Sequence, residues 1–382
     1  MRMLVLGGGM MGRAAVYDMV RQNDVEKVIV ADVDRAVAEE AAEFAGSDKA
    51  VAHEVDVTNE EDVLGAMEMA NGVLSAVSYR FNLELARMAV QAGTHFCDLG
   101  GNNTVVDGEL ALHNEAKAKG ITIIPDCGLA PGMVSLLAMA GMKELDVTKR
   151  IRMRVGGLPV HPKPPLDYMI VFSVHGLINE YIEPCVVIRN GKIEIADPLV
   201  DVEDIEFPDP FGTLEAFNTS GGSSTLPSSI LGKVEELDYK TIRYPGHVAK
   251  IKAMVDIGLA SDSQIEIGDV SVAPRDVLES CLASHLSAPD EDLVLLRVTV
   301  EGAKDGRDTV VVYEMIDQMD TETGLTAMMR GTSFPASIIT LMMARGQTKP
   351  GAYPQELVID STLFIEEFLK RGMPLTTSVA TP

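Results

Sequence analysis

Tryptophan is absent from the 382 residues and aromatics make up only 5%, so the core has to be built from aliphatic side chains and from 21 methionines. Basic residues are also scarce. Lys and Arg number 32 against 57 Asp and Glu, a formal charge of -25, which leaves no basic face for a nucleic acid and suits a very soluble or salt-adapted protein. Cys97, Cys127, Cys185 and Cys281 contain no CxxC pair, so neither a zinc site nor a disulfide framework is suggested. The seven histidines lack HxxxH and HExxH spacing, and no metal is expected. The longest apolar stretch, near 133–142, is far short of a bilayer span. The apolar start runs directly into a glycine turn without a basic n-region or a cleavage site. No membrane partner is expected, and the cytoplasm is the expected location.

What is present is concentrated at residues 1–32, MRMLVLGGGMMGRAAVYDMVRQNDVEKVIVAD. An apolar run stops at Gly7-Gly8-Gly9-Met10-Met11-Gly12, a helical pattern follows, and a second apolar run ends at Asp32. This is the strand, turn, helix, strand and acid of a dinucleotide site. Gly7 permits the tight turn, Gly9 lets the backbone approach a pyrophosphate, and Gly12 lets the helix pack on the sheet. The helix opening at Met10 and Met11 offers free N–H groups and its positive dipole end to the phosphates. Asp32 is placed to accept hydrogen bonds from the adenosine ribose, and its charge repels a 2′-phosphate, so NAD is favoured over NADP. Arg35 softens that preference.

Alternation continues beyond Asp32. Strands are expected at 50–55, 73–77, 94–99 and 121–125, and helices at 36–44, 60–70, 81–91 and 106–119. The fold class is therefore α/β, a Rossmann-type doubly wound parallel sheet. Ligands of such sheets lie beyond the carboxyl ends of the strands, which brings forward Asp56, Ser78 and Asn82, then the loops 98–102 and 126–132. From about residue 150 the pattern changes. A strand at 151–155 precedes a proline-rich loop at 158–165, hairpins follow at 185–196 around Asn190-Gly191 and at 293–315, and helices are expected at 247–259 and 274–285. Strands grouped in this way indicate an α+β substrate and dimerisation domain. The expected division is 1–130 for the dinucleotide domain, completed by helices in 331–382 (334–345 and 361–371), and 131–330 for the second. A homodimer is expected from a sheet extended across a two-fold axis.

Four further motifs carry a resemblance: DCGLAPGM at 126–133, GLINEY at 176–181, LEAFNTSGGSSTL at 214–226 and RYPGH at 243–247. Together with the glycine turn they make the chain similar, over essentially its whole length, to the saccharopine dehydrogenase-like superfamily, most closely its lysine 6-dehydrogenase branch. The resemblance implies NAD-dependent oxidation at the ε-amine of L-lysine. Hydride leaves Cε, water releases ammonia from the imine, and the aldehyde product cyclises.

That chemistry needs a general base, because the amine must be neutral and the attacking water must lose protons. His247 and Asp126 are the candidates. His247 has a near-neutral intrinsic pKa and opens a helix after a Pro-Gly turn, where it serves as a base or as a packed or capping histidine. Asp126 closes the sixth strand, where it serves as a base or fixes the loop and the next helix. Cys127 reads as a buried filler, since hydride transfer needs no covalent nucleophile. Arg243 offers a bidentate fork for the substrate carboxylate, and Glu180 or Asp167 a charge for the ammonium; each reads equally as half of an ion pair. Tyr168, Thr219 and Thr225 offer hydroxyls to the pocket or to solvent. Asn82 holds the nicotinamide end or caps its helix.

A saccharopine or carboxynorspermidine dehydrogenase is the alternative, and it requires more cations, with Arg80, Arg152 and Arg154 to supply them. A catalytically silent NAD(P)-binding sensor is the alternative outside the enzymes.

Overall fold

A computed structural model describes residues 1–286 and 291–381. Two compact units divide the chain. The first takes Met1–Ala140, Ser224–Ser229 and Met329–Met373, and the second Gly141–Ser223, Ile230–Met328 and the segment from Pro374.

The chain opens β1 (Arg2–Leu6), α1 (Met10–Met19), β2 (Lys27–Asp32), α2 (Arg35–Ala45), β3 (Ala50–Glu54), α3 (Glu60–Met67) and β4 (Gly72–Ser75). It continues α4 (Asn82–Ala92), β5 (His95–Asp98), α5 (Asn103–Ala111), α6 (His113–Lys119), β6 (Thr122–Ile124) and α7 (Met133–Lys143). Met3, Leu4, Val5 and Leu6 are all fully buried, as a parallel strand covered on both faces must be. The single helix expected over 106–119 is two. It breaks at Leu112, whose N–H turns back to the Glu109 carbonyl at 3.1 Å.

The second unit holds β7 (Val147–Pro159), α8 (Val174–Ile182), β8 (Cys185–Arg189), β9 (Lys192–Ala196), β10 (Glu203–Phe207) and β11 (Gly212–Asn218). The short helix α9 (Leu226–Ser229) returns to the first unit. Then come β12 (Glu236–Arg243), α10 (His247–Asp256), the small hairpin β13 (Ile265–Ile267) and β14 (Val270–Val272), α11 (Pro274–Leu286), β15 (Asp292–Lys304) and β16 (Arg307–Gln318). The tail is α12 (Ala327–Ala344), β17 (Gly351–Ala352), α13 (Gln355–Val358), α14 (Ser361–Lys370) and β18 (Leu375–Ala380).

The first sheet is parallel, in the order β17-β6-β5-β4-β1-β2-β3. Its order reverses on either side of β1, and this is the switch point at whose carboxyl edge ligands bind in such sheets. The expected doubly wound fold is observed, with one strand more than the sequence indicated, because β17 is too short to have a period of its own. Within this unit Arg371, just past α14, grips Asp18 of α1 by two bonds of 2.7 and 3.0 Å, and Ser337 adds a third to the same carboxylate. Both side chains of the pair are nearly buried, at 6% and 4% exposure. Removing one partner of a buried pair strands the other charge, so Asp18→Ala is expected to cost about 3–5 kcal/mol, read as a fall in urea midpoint at constant m.

The second sheet runs β10-β11-β12-β7-β15-β16-β18, with β8 and β9 branching from β12. β7 and β12 are parallel and the other neighbours antiparallel. β7 runs through residues 158–159, which were expected to begin a loop. It buries Ile151, Met153 and Val155 on one face and places Arg150, Arg152 and Arg154 on the other. The last residues correct the expected tail. β18 pairs with β16 in the second unit, so the first unit's closing segment ends at Met373. No helix among the described residues is long and apolar enough to cross a membrane.

Candidate functional site

In the first unit, Gly7 has φ +95°, a conformation that favours glycine. A Cβ on Gly12 would be driven into the Gly7 carbonyl oxygen, which explains the third glycine as a close approach of helix to turn. A Cβ on Gly9 would meet nothing within 4 Å, so the middle glycine faces open space where a phosphate can come close to the backbone. Gly9 is the residue before α1; Met10 is half exposed, and the Met11 carbonyl accepts the Ser333 hydroxyl at 2.8 Å. Asp32 ends β2. Its Oδ2 accepts the Gly8 N–H at 2.8 Å and its Oδ1 the Asp34 N–H at 3.0 Å, fixing the carboxylate beside the turn. Arg35 is bonded instead to Glu39 at 2.8 Å. These residues fit a dinucleotide: a cradle that a side chain would fill, a helix N-terminus and a ribose acid.

The neighbouring loops are more mixed. Asp56 accepts both the N–H and the hydroxyl of Thr58, and those bonds hold its carboxyl below the usual range. Ser78 precedes a short 3-10 turn and caps nothing with its side chain. Asn82 is buried and its Oδ1 accepts the Ser75 hydroxyl at 2.8 Å, so its amide oxygen is committed to β4 and does not cap α4.

Past β6, Asp126 is 4% exposed at φ +61°. One carboxylate oxygen accepts the Ser224 hydroxyl; the other, Oδ1, has no partner among the described residues. The Gln355 amide holds its carbonyl at 2.6 Å. Burial first, and the nearby Asp98 charge second, push the Asp126 carboxyl up to about 7. A carboxylate in that range can take a proton at neutral pH. Cys127 is wholly buried and its thiol is pushed far up by burial, as befits a filler. Thr225, expected to share a pocket with Arg243, belongs instead to this unit. There it donates to Glu356 at 2.8 Å, beside Ser229 at 2.6 Å.

The second unit brings together Arg243, Tyr168, Glu180 and His247, and adds Tyr181. β12 ends at Arg243, the turn Tyr244-Pro245-Gly246 follows, and α10 starts at His247. Glu215 of β11 fixes that turn by accepting the N–H groups of Gly246 at 2.9 Å and Val248 at 2.7 Å. Arg243 is 2% exposed; its Nε donates to Tyr181 Oη at 3.3 Å, and its guanidinium lies 4.7 Å from the Tyr168 ring centre. Of the fully buried arginines, Arg154 is paired with Glu203 and Asp238, and Arg275 with Glu279. Arg243 alone of these has no carboxylate within 4 Å among the described residues. Glu180 is only half-buried, yet desolvation pushes its carboxyl up to about 7 against the pull of Arg243, and it too forms no ion pair among the described residues. The Tyr168 hydroxyl is buried without a partner among the described residues.

His247 is held at both ring nitrogens. Its Nδ1 lies 3.0 Å from the Leu166 carbonyl and so carries the hydrogen, which leaves Nε2 to accept from the Tyr181 hydroxyl at 3.0 Å. Burial and the Arg243 charge push it down to about 3. With both nitrogens engaged, the ring orients Tyr181. Asp167 is spent on Lys250 at 3.1 Å, Thr219 on Thr241 at 2.7 Å, and Arg152 on Glu301. Arg80 lies over the Phe81 ring at 4.6 Å. Sequence reasoning missed Tyr181, Glu215 and Ser224, although all three stand inside the motifs it had singled out.

Two family models match. The saccharopine dehydrogenase NADP binding domain covers residues 3–124, and the saccharopine dehydrogenase C-terminal domain covers 128–373. The saccharopine dehydrogenase (NADP+, L-glutamate-forming) of Saccharomyces cerevisiae is 26% identical over 76% of this chain and 65% of its own length. The enzyme of that name from Pyricularia oryzae is 23% identical over the same shares. The mitochondrial alpha-aminoadipic semialdehyde synthase of Rattus norvegicus is 25% identical over 68% of this chain and 28% of its own. The chain thus spans just under two thirds of the fungal relatives. In structure, the apo saccharopine dehydrogenase (L-Glu forming) of Saccharomyces cerevisiae superposes with a TM-score of 0.80 over 100% of both chains at 20% identity.

Proposed function

Because the chain belongs to the saccharopine dehydrogenase family, we propose that it is a nicotinamide-dependent amino-acid dehydrogenase that oxidises the ε-amine of L-lysine with NAD. The observation that carries this reading is Arg243, a buried guanidinium with no carboxylate within 4 Å among the described residues, in the same unit as Glu180, which also forms no ion pair among them. Burying a cation is costly unless an anion joins it. An amino acid brings a carboxylate for Arg243 and an ammonium for Glu180.

The bound dinucleotide supplies the hydride acceptor. Gly7, Gly9 and Gly12 shape its cradle, Met10 and Met11 open the helix toward its phosphates, and Asp32 meets the ribose. Asp126, ionised, takes the proton from the substrate ammonium, releases it to solvent, and then takes one from the attacking water. Tyr181 and Tyr168 orient Arg243, and His247 holds Tyr181.

NAD is favoured by Asp32, whose charge opposes a 2′-phosphate, and by Arg35 being turned to Glu39. Asp32→Ala is expected to move the NADP/NAD ratio of kcat/KM toward NADP by about tenfold or more, on the order of one charge contact. An unchanged ratio would place the ribose elsewhere.

The relatives' names favour a second reading, saccharopine oxidation with NADP. That substrate carries further carboxylates, and here Arg152 and Arg154 are held by acids. A panel of lysine, saccharopine, carboxynorspermidine and ornithine with NAD and NADP, followed by cofactor reduction, separates the two. Turnover with lysine and NAD is expected; turnover with saccharopine alone would establish the second reading. Binding of NADH with no turnover on any amine would show a sensor.

A further inference from the structure

Glu109 of α5 has no solvent exposure, and neither of its carboxyl oxygens has a donor among the described residues. Its neighbour is Asp98, also fully buried at the end of β5 and in hydrogen-bonding contact with it. Two adjacent buried carboxyls cannot both ionise. The N–H donors decide which of them holds the charge. Asp98 Oδ1 accepts from Gly100 at 2.6 Å and from Asp126 at 3.2 Å, whereas Glu109 accepts from none. This supply of donors favours negative charge on Asp98 and the proton on Glu109, with Asp98 Oδ2, which has no partner among the described residues, left to accept it.

We propose that Asp98 and Glu109 share one proton, and that the single charge left on Asp98 holds Asp126 by its N–H and strengthens it as a base. Glu109 and Asp98 are thus positioning residues behind Asp126. The ionisable groups facing the pair are Asp126, Cys97 and Cys127, with Glu356 facing Asp126 from α13. Burial, and then the Asp98 charge, push Glu109 up to about 11. A carboxyl raised in this way keeps its proton in the native state while the unfolded chain releases it above its ordinary value of 4.5. It therefore lowers stability progressively as pH rises from there.

The shared proton itself is independent of the dehydrogenase reading; only its effect on Asp126 rests on that reading. In the infrared, the wild-type protein at about pH 8 should show the carbonyl stretch of a protonated buried carboxyl, and Glu109→Gln should lose it. The denaturant midpoint of Glu109→Gln should fall less than that of wild type between about pH 5 and 9. Asp98→Asn, which keeps the acceptor for both N–H groups, should move the acid limb of kcat down by about one pH unit. Wild type without the band, or a band unchanged in Glu109→Gln, would overturn the shared proton. An acid limb left in place by Asp98→Asn would overturn its action on Asp126. A chain that oxidises no amine would remove the dehydrogenase reading and with it that action, while the infrared and denaturation results would still decide the pair.

Discussion

Arg243→Ala is expected to raise the KM for the amino-acid substrate about 30-fold or more while leaving nucleotide affinity unchanged. The guanidinium is buried and charged, and truncating one side of such a pair costs about 2–5 kcal/mol, much of it from stranding the substrate carboxylate. The diamine that lacks the carboxylate should lose little, so the discrimination between lysine and its decarboxylated analogue should collapse. Arg243→Lys keeps the charge but loses the fork and the stacking on Tyr168, and should fall between. A lysine KM that stays put, or a change confined to NAD binding, would show that Arg243 meets no substrate carboxylate. Glu180 supplies a companion test. Its carboxyl, pushed up to about 7, attracts an ammonium only when ionised, so KM should fall as pH rises through that value, and Glu180→Gln should flatten the dependence.

Asp126→Asn is expected to lower kcat by about 10²–10⁴-fold, the usual contribution of a placed general base. Asparagine keeps an acceptor for Ser224 and the main-chain carbonyl for Gln355, so nucleotide binding should persist. In the wild type kcat should rise with pH through about 7 as this carboxyl ionises, and the variant should lack that limb. Stability gives a second readout of opposite sign. The folded carboxyl binds its proton more tightly than the ordinary value of 3.8, so it lowers stability as pH rises from about 4 to 7. The asparagine variant should lack that decline. Full activity in Asp126→Asn would remove it as the base.

His247 and Asp126 looked interchangeable as bases when only their neighbours in the chain were known. The solution pKa of histidine favours it, and RYPGH places it at a helix start. What separates the two is long-range. Leu166 and Tyr181, 81 and 66 residues away, occupy both ring nitrogens, whereas Asp98, 28 residues before Asp126, donates no proton to it and adds a like charge. Thr225 teaches the same lesson. It stands next to Ser224 in a motif otherwise shared with the second unit, yet the chain crosses between units at that point.

The opening Gly7 to Asp32 stretch was legible as a nucleotide cradle because its geometry is local: a turn with positive φ, a helix start, and an acid closing the next strand. The alternation of strands and helices through β6 was legible for the same reason, since periodicity reflects burial within a few residues. The strands β10 to β12 and β18 were not, because their faces are defined only by distant partners. Glycine spacing and strand period, together with the motifs, determined the α/β fold and the kind of cofactor. Only the tertiary structure decided that Arg243 is buried with no ion pair among the described residues, that His247 is fully engaged, and that three buried carboxyls from β5, α5 and the loop after β6 share one neighbourhood. Charge, burial and hydrogen-bond supply are properties of that neighbourhood, and no single stretch of chain contains it.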